Sequence, residues 1–268
     1  MAEMTLTQEL RIEYRTLFST CRLREDNADA VDTIVAEFEQ NRSRYLAVGQ
    51  PLGIPWYVIA VIHNMESSRS FDRHLHNGDP LTARTTHVPQ GRPASGTPPF
   101  TWEESASDAL KYQKLDQWKD WSLPGILYKL EEYNGWGYRL YHAHVLSPYL
   151  WSFSYHYRSG KYTGDGRWSE SAMSRQAGAA ALLRRLVQKA SFIQSDPDAI
   201  PVLKDDAPIG YSNSAKSVHV ERLQTLLNAF PGINLRADGY PGQRTSDAFK
   251  TVFGVYLKGD PRSEQDQE

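Results

Sequence analysis

From Pro55 to Glu66 the chain reads Pro-Trp-Tyr-Val-Ile-Ala-Val-Ile-His-Asn-Met-Glu. Proline suits the first turn of a helix, because the N–H group that it lacks would have no partner there. Apolar residues then recur at helical spacing, at Val58, Ile59, Ile62 and Met65. The pattern predicts a helix that packs one face into a core and ends at Glu66. We expect desolvation by apolar neighbours to favour the protonated form of this carboxyl, as a general acid requires.

A polar, turn-rich segment follows this helix. It contains further carboxylates and hydroxyls, at Asp72, Asp79, Thr85 and Thr86. A protonated carboxyl close to an ionised one is the arrangement that cleaves glycosidic bonds. The residues alone leave a second interpretation open, in which Glu66 is an ordinary helix-end residue on the surface, where most carboxylates lie.

The run Ala60-Val-Ile-His-Asn-Met-Glu-Ser67 resembles the catalytic helix of lysozyme-like peptidoglycan hydrolases. This superfamily includes goose-type lysozymes, phage endolysins and soluble lytic transglycosylases. The resemblance implies a mainly α fold with Glu66 as the general acid and a small β-hairpin at residues 74–87. It favours Asp79 over Asp72 as the second carboxylate or water-positioning group. Four further hairpin residues are implied, Thr85 and Thr86 in catalysis and His76 and Asn77 in substrate binding.

A second resemblance concerns Tyr133-Asn-Gly-Trp-Gly-Tyr138, which is similar to the Tyr-Asn-x-Gly turn beside the cleft of these hydrolases. It implies that Tyr133 and Asn134 bind substrate. From the residues alone, Asn134 and Gly135 equally indicate the left-handed stop of a helix. The segments 147–154 and 160–168 also look like parts of these enzymes. The aromatic candidates for stacking on sugar rings are Tyr149, Trp151 and Tyr155.

The segment 218–257 resembles the type 1 peptidoglycan-binding domain, a small three-helix module. The residues that match its pattern are Val220, Leu223, Gln224, Leu227, Asn228, Asp238, Gly239, Gly242 and Thr245. Asp238-Gly239 predicts a turn, and Thr245 is expected to cap the next helix. The resemblance implies binding to the bacterial wall, without indicating which residues make the contacts.

Periodicity and capping signals predict the remaining scaffold. We expect two helices over residues 5–48, one from Thr101, one from Ser122 to Tyr133, and one from Ser174 to Ala190. The predicted domains are a lysozyme-like catalytic domain (1–194), a linker (195–217), the peptidoglycan-binding domain (218–258) and a disordered tail (259–268).

Composition limits the class of protein. The 268 residues are 40% hydrophobic and 23% charged, which is typical of a globular protein. The net charge of −2 gives no reason to expect nucleic-acid binding, and no apolar run approaches the roughly 20 residues of a membrane span. Charged residues at positions 9, 11, 13 and 15 are incompatible with the apolar core of a signal peptide. The single Cys21 cannot form an internal disulfide.

The leading hypothesis is therefore a peptidoglycan hydrolase, a muramidase that cleaves the β-1,4 bond between N-acetylmuramic acid and N-acetylglucosamine. We expect a monomer that needs no cofactor or metal, has peptidoglycan as its partner, and binds neither nucleic acid nor membrane. It would be made in the cytoplasm and reach the wall after release or by non-classical export. The alternatives are a lytic transglycosylase, a chitinase or chitosanase, a zinc-dependent wall peptidase that uses His74, His76 and His87, and a non-catalytic wall-binding protein.

Overall fold

The computed structural model describes residues 4–164, 166–189 and 209–263 of the chain. This part is mainly helical with one small antiparallel sheet, which confirms the predicted mainly α class. The strands are β1 (Lys161–Gly164) and β2 (Arg167–Ser169). The helices are α1 (Gln8–Thr20), α2 (Ala28–Gln40), α3 (Arg42–Leu52), α4 (Trp56–Ser67), α5 (Trp102–Tyr112), α6 (Leu123–Asn134), α7 (Gly137–Tyr141), α8 (Pro148–Trp151), α9 (Ala179–Lys189), α10 (Val218–Leu227) and α11 (Gln243–Phe253).

The chain divides into two compact units. Counting described residues only, unit 1 comprises 4–28, 123–184 without residue 165, and 209–263, and unit 2 comprises 29–122 and 185–189. Residues 195–208 of the predicted linker and 264–268 of the predicted tail lie outside the described residues. At the start of that tail, Asp260 is buried and bonded to Ser246 and Arg262.

Helix α4 forms the core of unit 2. The prediction that it buries a single face is wrong, because every residue from Trp56 to Asn64 is buried. A helix that is apolar on all sides belongs inside a domain rather than at its edge. Pro55 occupies the N-cap position, one residue before the helix begins. Among the described residues, no single helix is long and apolar enough to cross a membrane, although the bent pair α3 and α4 passes that test by length and composition alone.

Unit 2 departs from the predicted elements in two places. The second predicted helix divides at Asn41 into α2 and α3, and α3 continues through Pro51 to a left-handed Gly53. The hairpin predicted at 74–87 is also wrong, since this segment forms turns with one isolated bridge between Arg73 and Pro80. Beyond this bridge the backbone N–H groups are used locally, as when those of Thr86 and His87 donate to Asp79 Oδ2 over 2.7 and 3.0 Å. Few donors therefore remain for a ladder between strands.

The described antiparallel strands lie instead in unit 1, where Tyr162 pairs with Trp168. Helix α6 ends as predicted, with Gly135 in the left-handed region at φ +88°. Helix α9 begins five residues after the predicted Ser174. The N–H of Ser174 donates to the Tyr157 hydroxyl and the N–H of Gly178 to the carbonyl of Ser152, so these donors serve tertiary contacts.

The C-terminal segment, residues 209–263, has its own apolar cluster within unit 1. Two α-helices are described here, α10 and α11, rather than the three predicted. The cluster consists of Ile209, Val220, Leu223, Leu227, Ala248, Phe249, Phe253 and Leu257. Thr245 is not the cap of α11, because that helix begins at Gln243 with Gly242 at its N-cap.

The buried amide of Gln224 organises the turn between these two helices. Its Nε2 donates to Asp238 Oδ1 over 3.0 Å and to Thr245 Oγ1 over 2.9 Å, and its Oε1 accepts from the N–H of Gly239 over 2.8 Å. Gly239 has φ +81°, a conformation that favours glycine. Gln224, Asp238 and Thr245 belong to the sequence pattern that resembles a wall-binding module. Here their side chains form hydrogen bonds with one another inside the segment.

A buried ionic network ties helices of unit 1 together. Glu131 of α6 accepts from the Tyr14 hydroxyl over 2.6 Å and from Arg139 Nε over 2.9 Å. Glu13 of α1 accepts from Arg139 over 2.6 Å and from Arg222 of α10 over 2.8 Å. Burial raises the pKa of Glu131 even though Arg139 opposes the shift. The C-terminal segment is therefore joined to α1 by the ion pair of Arg222 and Glu13.

Unit 1 should lose stability in acid through His156. Its Nε2 lies 2.8 Å from the carbonyl of Leu17 and 3.1 Å from Thr20 Oγ1, and its ring packs on Phe253. Burial lowers the pKa of this imidazole to about 4, whereas an imidazole in an unfolded chain titrates near pH ~6.5. Between these two values the unfolded chain binds a proton that the folded chain does not. The free energy of unfolding should therefore fall as pH falls from 6.5 to 4, by up to roughly 3 kcal/mol.

The measurement is the unfolding midpoint as a function of pH. His156→Gln should flatten the dependence between pH 6.5 and 4. The control Thr20→Val removes one polar neighbour but keeps the imidazole, so its slope should match that of the native chain. Equal slopes for His156→Gln and the native chain would contradict this origin of the acid sensitivity.

Candidate active site

The predicted general acid lies at the C-terminal end of the central helix of unit 2. Glu66 is the penultimate residue of α4 and is half-buried. The two residues that follow the helix, Ser68 and Arg69, both have positive φ, at 51° and 65°. Side chains of L-residues disfavour this conformation by about 1–2 kcal/mol per residue. The chain thus turns sharply at Ser68, two residues after Glu66.

Arg69 shows what holds this strained turn in place. Its Nε donates to Glu37 Oε2 over 2.6 Å, and its guanidinium also donates to Oδ1 of the buried Asn64. The turn is therefore fixed to both α2 and α4. Backbone strain that the surrounding structure maintains is concentrated at functional sites, so this turn supports a functional role for the end of α4.

The turn that holds Asn77 and Asp79 passes beside Glu66. Gly78 lies between them at φ +79°, and a Cβ added there would lie 3.4 Å from the carbonyl oxygen of Glu66. Asn77 Nδ2 donates to the carbonyl of His87, and Asn77 Oδ1 accepts from the N–H of Asp79. The structure therefore brings the predicted acid and the predicted second carboxylate into one neighbourhood of unit 2.

Asp79 is the polar centre of this loop. Its Oδ2 accepts from the N–H groups of Thr86 and His87 over 2.7 and 3.0 Å, and its Oδ1 lies 2.7 Å from His87 Nδ1. Burial raises the pKa of this carboxyl, but the hydrogen bonds from His87 and Thr86 outweigh it and hold the pKa well below its usual range. Asp79 is thus an ionised group at neutral pH that also holds the loop together. The alternative, Asp72, is exposed.

The two predicted threonines differ in exposure. Thr85 is buried, and its hydroxyl donates to the carbonyl of Pro89 and accepts from the N–H of Arg92. Thr86 is exposed and lies with its Oγ1 3.3 Å from Asp79 Oδ2. Thr86 can therefore face a ligand, whereas the hydroxyl of Thr85 is used within the loop.

The histidines of this loop are engaged in structural contacts. His76, predicted to bind substrate, has a side chain only 1% exposed, with Nε2 2.8 Å from Asp108 Oδ2. Arg92 forms a bidentate pair with the same Asp108, at 2.8 Å for each bond. His74 contacts Ser105 Oγ and the carbonyl of Ala83 with its two ring nitrogens. These contacts hold the loop against α5, and among the described residues no group of three His, Cys, Asp or Glu side chains is placed to hold a metal ion.

The five predicted aromatic and amide contacts belong to unit 1, not to the unit that contains Glu66. Asn134 is exposed at the end of α6, and Tyr133 and Tyr149 are half-buried. Trp151 is 1% exposed and packs on His156, so its ring serves the core. The ring of Tyr155 is covered on one side by Arg24, 4.9 Å away.

Sequence reasoning missed Arg69, Arg92 and Asp108, which shape the loop around Glu66. Their partners lie five to 32 residues away, as in the pairs Arg69–Glu37 and His76–Asp108. No local pattern marks such contacts. The capping box at Thr101 and Glu104 was the available signal for α5, and it located the helix but not the side chain that contacts the loop.

Comparison of the chain with protein families, curated proteins and solved structures gives no match. A proposal for the function of this chain therefore depends on its own residues and their geometry.

Proposed function

We propose that this protein is a peptidoglycan hydrolase of lysozyme-like fold that cleaves the β-1,4 glycosidic bond of the wall with Glu66 as general acid. The observation that supports it best is the position of Glu66, at the end of a buried apolar helix, followed by a strained turn and beside the loop of Asp79. Glycosidic cleavage uses one protonated carboxyl and one ionised carboxyl, and we assign these roles to Glu66 and Asp79.

In the proposed reaction, the Glu66 carboxyl donates its proton to the glycosidic oxygen as the bond to the anomeric carbon breaks. Positive charge develops on the sugar ring, and the ionised Asp79 stabilises it or orients a water molecule. That water supplies the hydroxyl of the new reducing end, and its proton restores the Glu66 carboxyl. The C-terminal segment would keep the enzyme on its insoluble substrate and raise its local concentration.

The geometry of Asp79 also favours a second candidate, a lytic transglycosylase. Both oxygens of Asp79 already accept hydrogen bonds from Thr86 and His87. A carboxylate whose oxygens already accept hydrogen bonds from its own loop has less capacity to activate a water molecule. A reaction with one carboxyl needs no such help: Glu66 protonates the leaving oxygen, the 6-hydroxyl of muramic acid attacks the anomeric carbon to form an anhydro ring, and its proton returns to the Glu66 carboxylate.

Mass spectrometry of fragments released from purified sacculi separates these outcomes. A muramidase yields hydrated reducing muramic ends, and a transglycosylase yields anhydro ends. Asp79→Asn should abolish a reaction that needs the ionised carboxylate, whereas full activity of a folded Asp79→Asn variant with anhydro products would identify the transglycosylase. Intact glycan strands after prolonged digestion by the native chain would refute both.

A further inference from the structure

A pocket opens in the C-terminal segment between the turn at residues 235–240 and the start of α11. Its volume is about 230 Å³, large enough for a small polar group rather than a long chain. Gln224 and Thr245 form part of its wall and are fixed by their mutual hydrogen bond of 2.9 Å. The wall is therefore built by the same network that organises the turn.

Two arginines, Arg236 and Arg244, line this pocket. Arg236 and Arg244 are both exposed, and neither guanidinium has a hydrogen bond or ion pair within the part of the chain that the structure describes. Asp238 is the single carboxylate among the described lining residues, and its Oδ1 accepts from Gln224 and from the N–H of Tyr240. Two arginines thus line a pocket in which the one carboxylate among the described residues, Asp238, already accepts two hydrogen bonds on Oδ1 and also attracts Arg236.

The other lining residues are also compatible with a bound anion. Tyr240 is 43% exposed at the mouth and offers an apolar face together with a hydroxyl. Guanidinium groups bind carboxylates through paired, charge-assisted hydrogen bonds, which are stronger than bonds between neutral groups. The chemistry of the pocket is that of a receptor for a carboxylate on a small, partly apolar group.

We propose that this pocket binds a carboxylate of the peptide side chains of peptidoglycan, with Arg236 and Arg244 as its ligands. The inference rests on the proposed function, because it takes peptidoglycan as the polymer. Where the lactyl carboxyl of muramic acid is amide-bonded to a peptide, the glycan strand carries no charge, so the carboxylates of the peptides are the anions that two arginines would select. Recognition would then depend on the peptide, while Glu66 acts on the glycan.

The test is a pelleting assay of the full chain carrying Glu66→Gln on purified sacculi stripped of teichoic acid with hydrofluoric acid. Arg236→Ala and Arg244→Ala should each weaken binding about tenfold, the loss of one charge-assisted contact. Lys258→Ala, which removes an exposed charge of the same segment outside the pocket, should bind as the parent does. Sacculi whose carboxyls have been converted to amides should bind the parent as weakly as untreated sacculi bind a variant that combines Arg236→Ala with Arg244→Ala.

Binding of both arginine variants within twofold of the parent would overturn the proposal, as would full binding to amidated sacculi. If unstripped sacculi bind tightly and stripped ones do not, the ligand is a phosphate and the carboxylate is again excluded. Failure of the hydrolase proposal is separate, since it appears as unbroken glycan in digests by the native chain whatever the arginine variants bind.

Discussion

Glu66→Gln is expected to lower the rate of glycan cleavage by about 10²- to 10⁴-fold, the usual contribution of a general acid. The glutamine keeps the shape of the side chain at the end of α4 but has no proton to give to the leaving oxygen. Binding to sacculi should persist, because the C-terminal segment does not use this residue. The measurement is release of reducing or anhydro ends from sacculi over time.

The matched control is Glu25→Gln, the same chemical change at an exposed position. It should cleave at the native rate. Thermal unfolding of both variants checks that the fold is kept. A folded Glu66→Gln variant that cleaves as fast as the control would exclude Glu66 as the acid and leave the strained turn after α4 without a catalytic explanation.

Arg139→Met is expected to destabilise unit 1 by about 3–5 kcal/mol, the cost of leaving a buried charge without its partner. Arg139 lies between Glu13 and Glu131, whose side chains are 8% and 4% exposed. In this variant Arg222 still forms its ion pair with Glu13. Glu131 is therefore the carboxylate that loses its cationic partner. Denaturant unfolding followed by tryptophan fluorescence measures the loss.

Arg185→Met is the control for a pair that solvent reaches. Arg185 and Asp32 are 26% and 28% exposed, and Lys189 also contacts Asp32. Removing the Arg185 guanidinium should lower the free energy of unfolding by no more than about 1 kcal/mol. Adding Glu131→Gln to Arg139→Met should restore part of the stability, because the unpaired charge is gone. Equal losses for Arg139→Met and Arg185→Met would contradict the role given to the buried network.

Local signals in the sequence predicted several elements accurately. Thr101 accepts from the N–H of Glu104, whose carboxylate accepts in return, and this capping box begins α5 where it was expected. Gly135 ends α6 as predicted. The apolar helix α4 ends at Ser67, one residue after the predicted Glu66. Such signals act between residues within one or two helical turns of each other. They therefore do not depend on how distant segments of the chain pack.

The loop after Glu66 could not be predicted in the same way. The family resemblance implied a hairpin at 74–87, but the side chain of Asp79 accepts hydrogen bonds from the backbone N–H groups of Thr86 and His87. His76 was expected to meet substrate and instead contacts Asp108 on α5. Each outcome depends on which side chains lie within hydrogen-bond distance in the folded chain. The order of residues along the chain does not reveal this.

Patterns along the chain predicted the mainly α class, the apolar helix that carries Glu66 near its end, and the two amphipathic helices of the C-terminal segment. They did not predict that α4 is buried on all sides, that Gly78 lies beside the backbone carbonyl of Glu66, or that Arg236 and Arg244 line one pocket. Helix propensity and capping act between neighbours in sequence, whereas burial and the pairing of charges depend on which distant segments pack together.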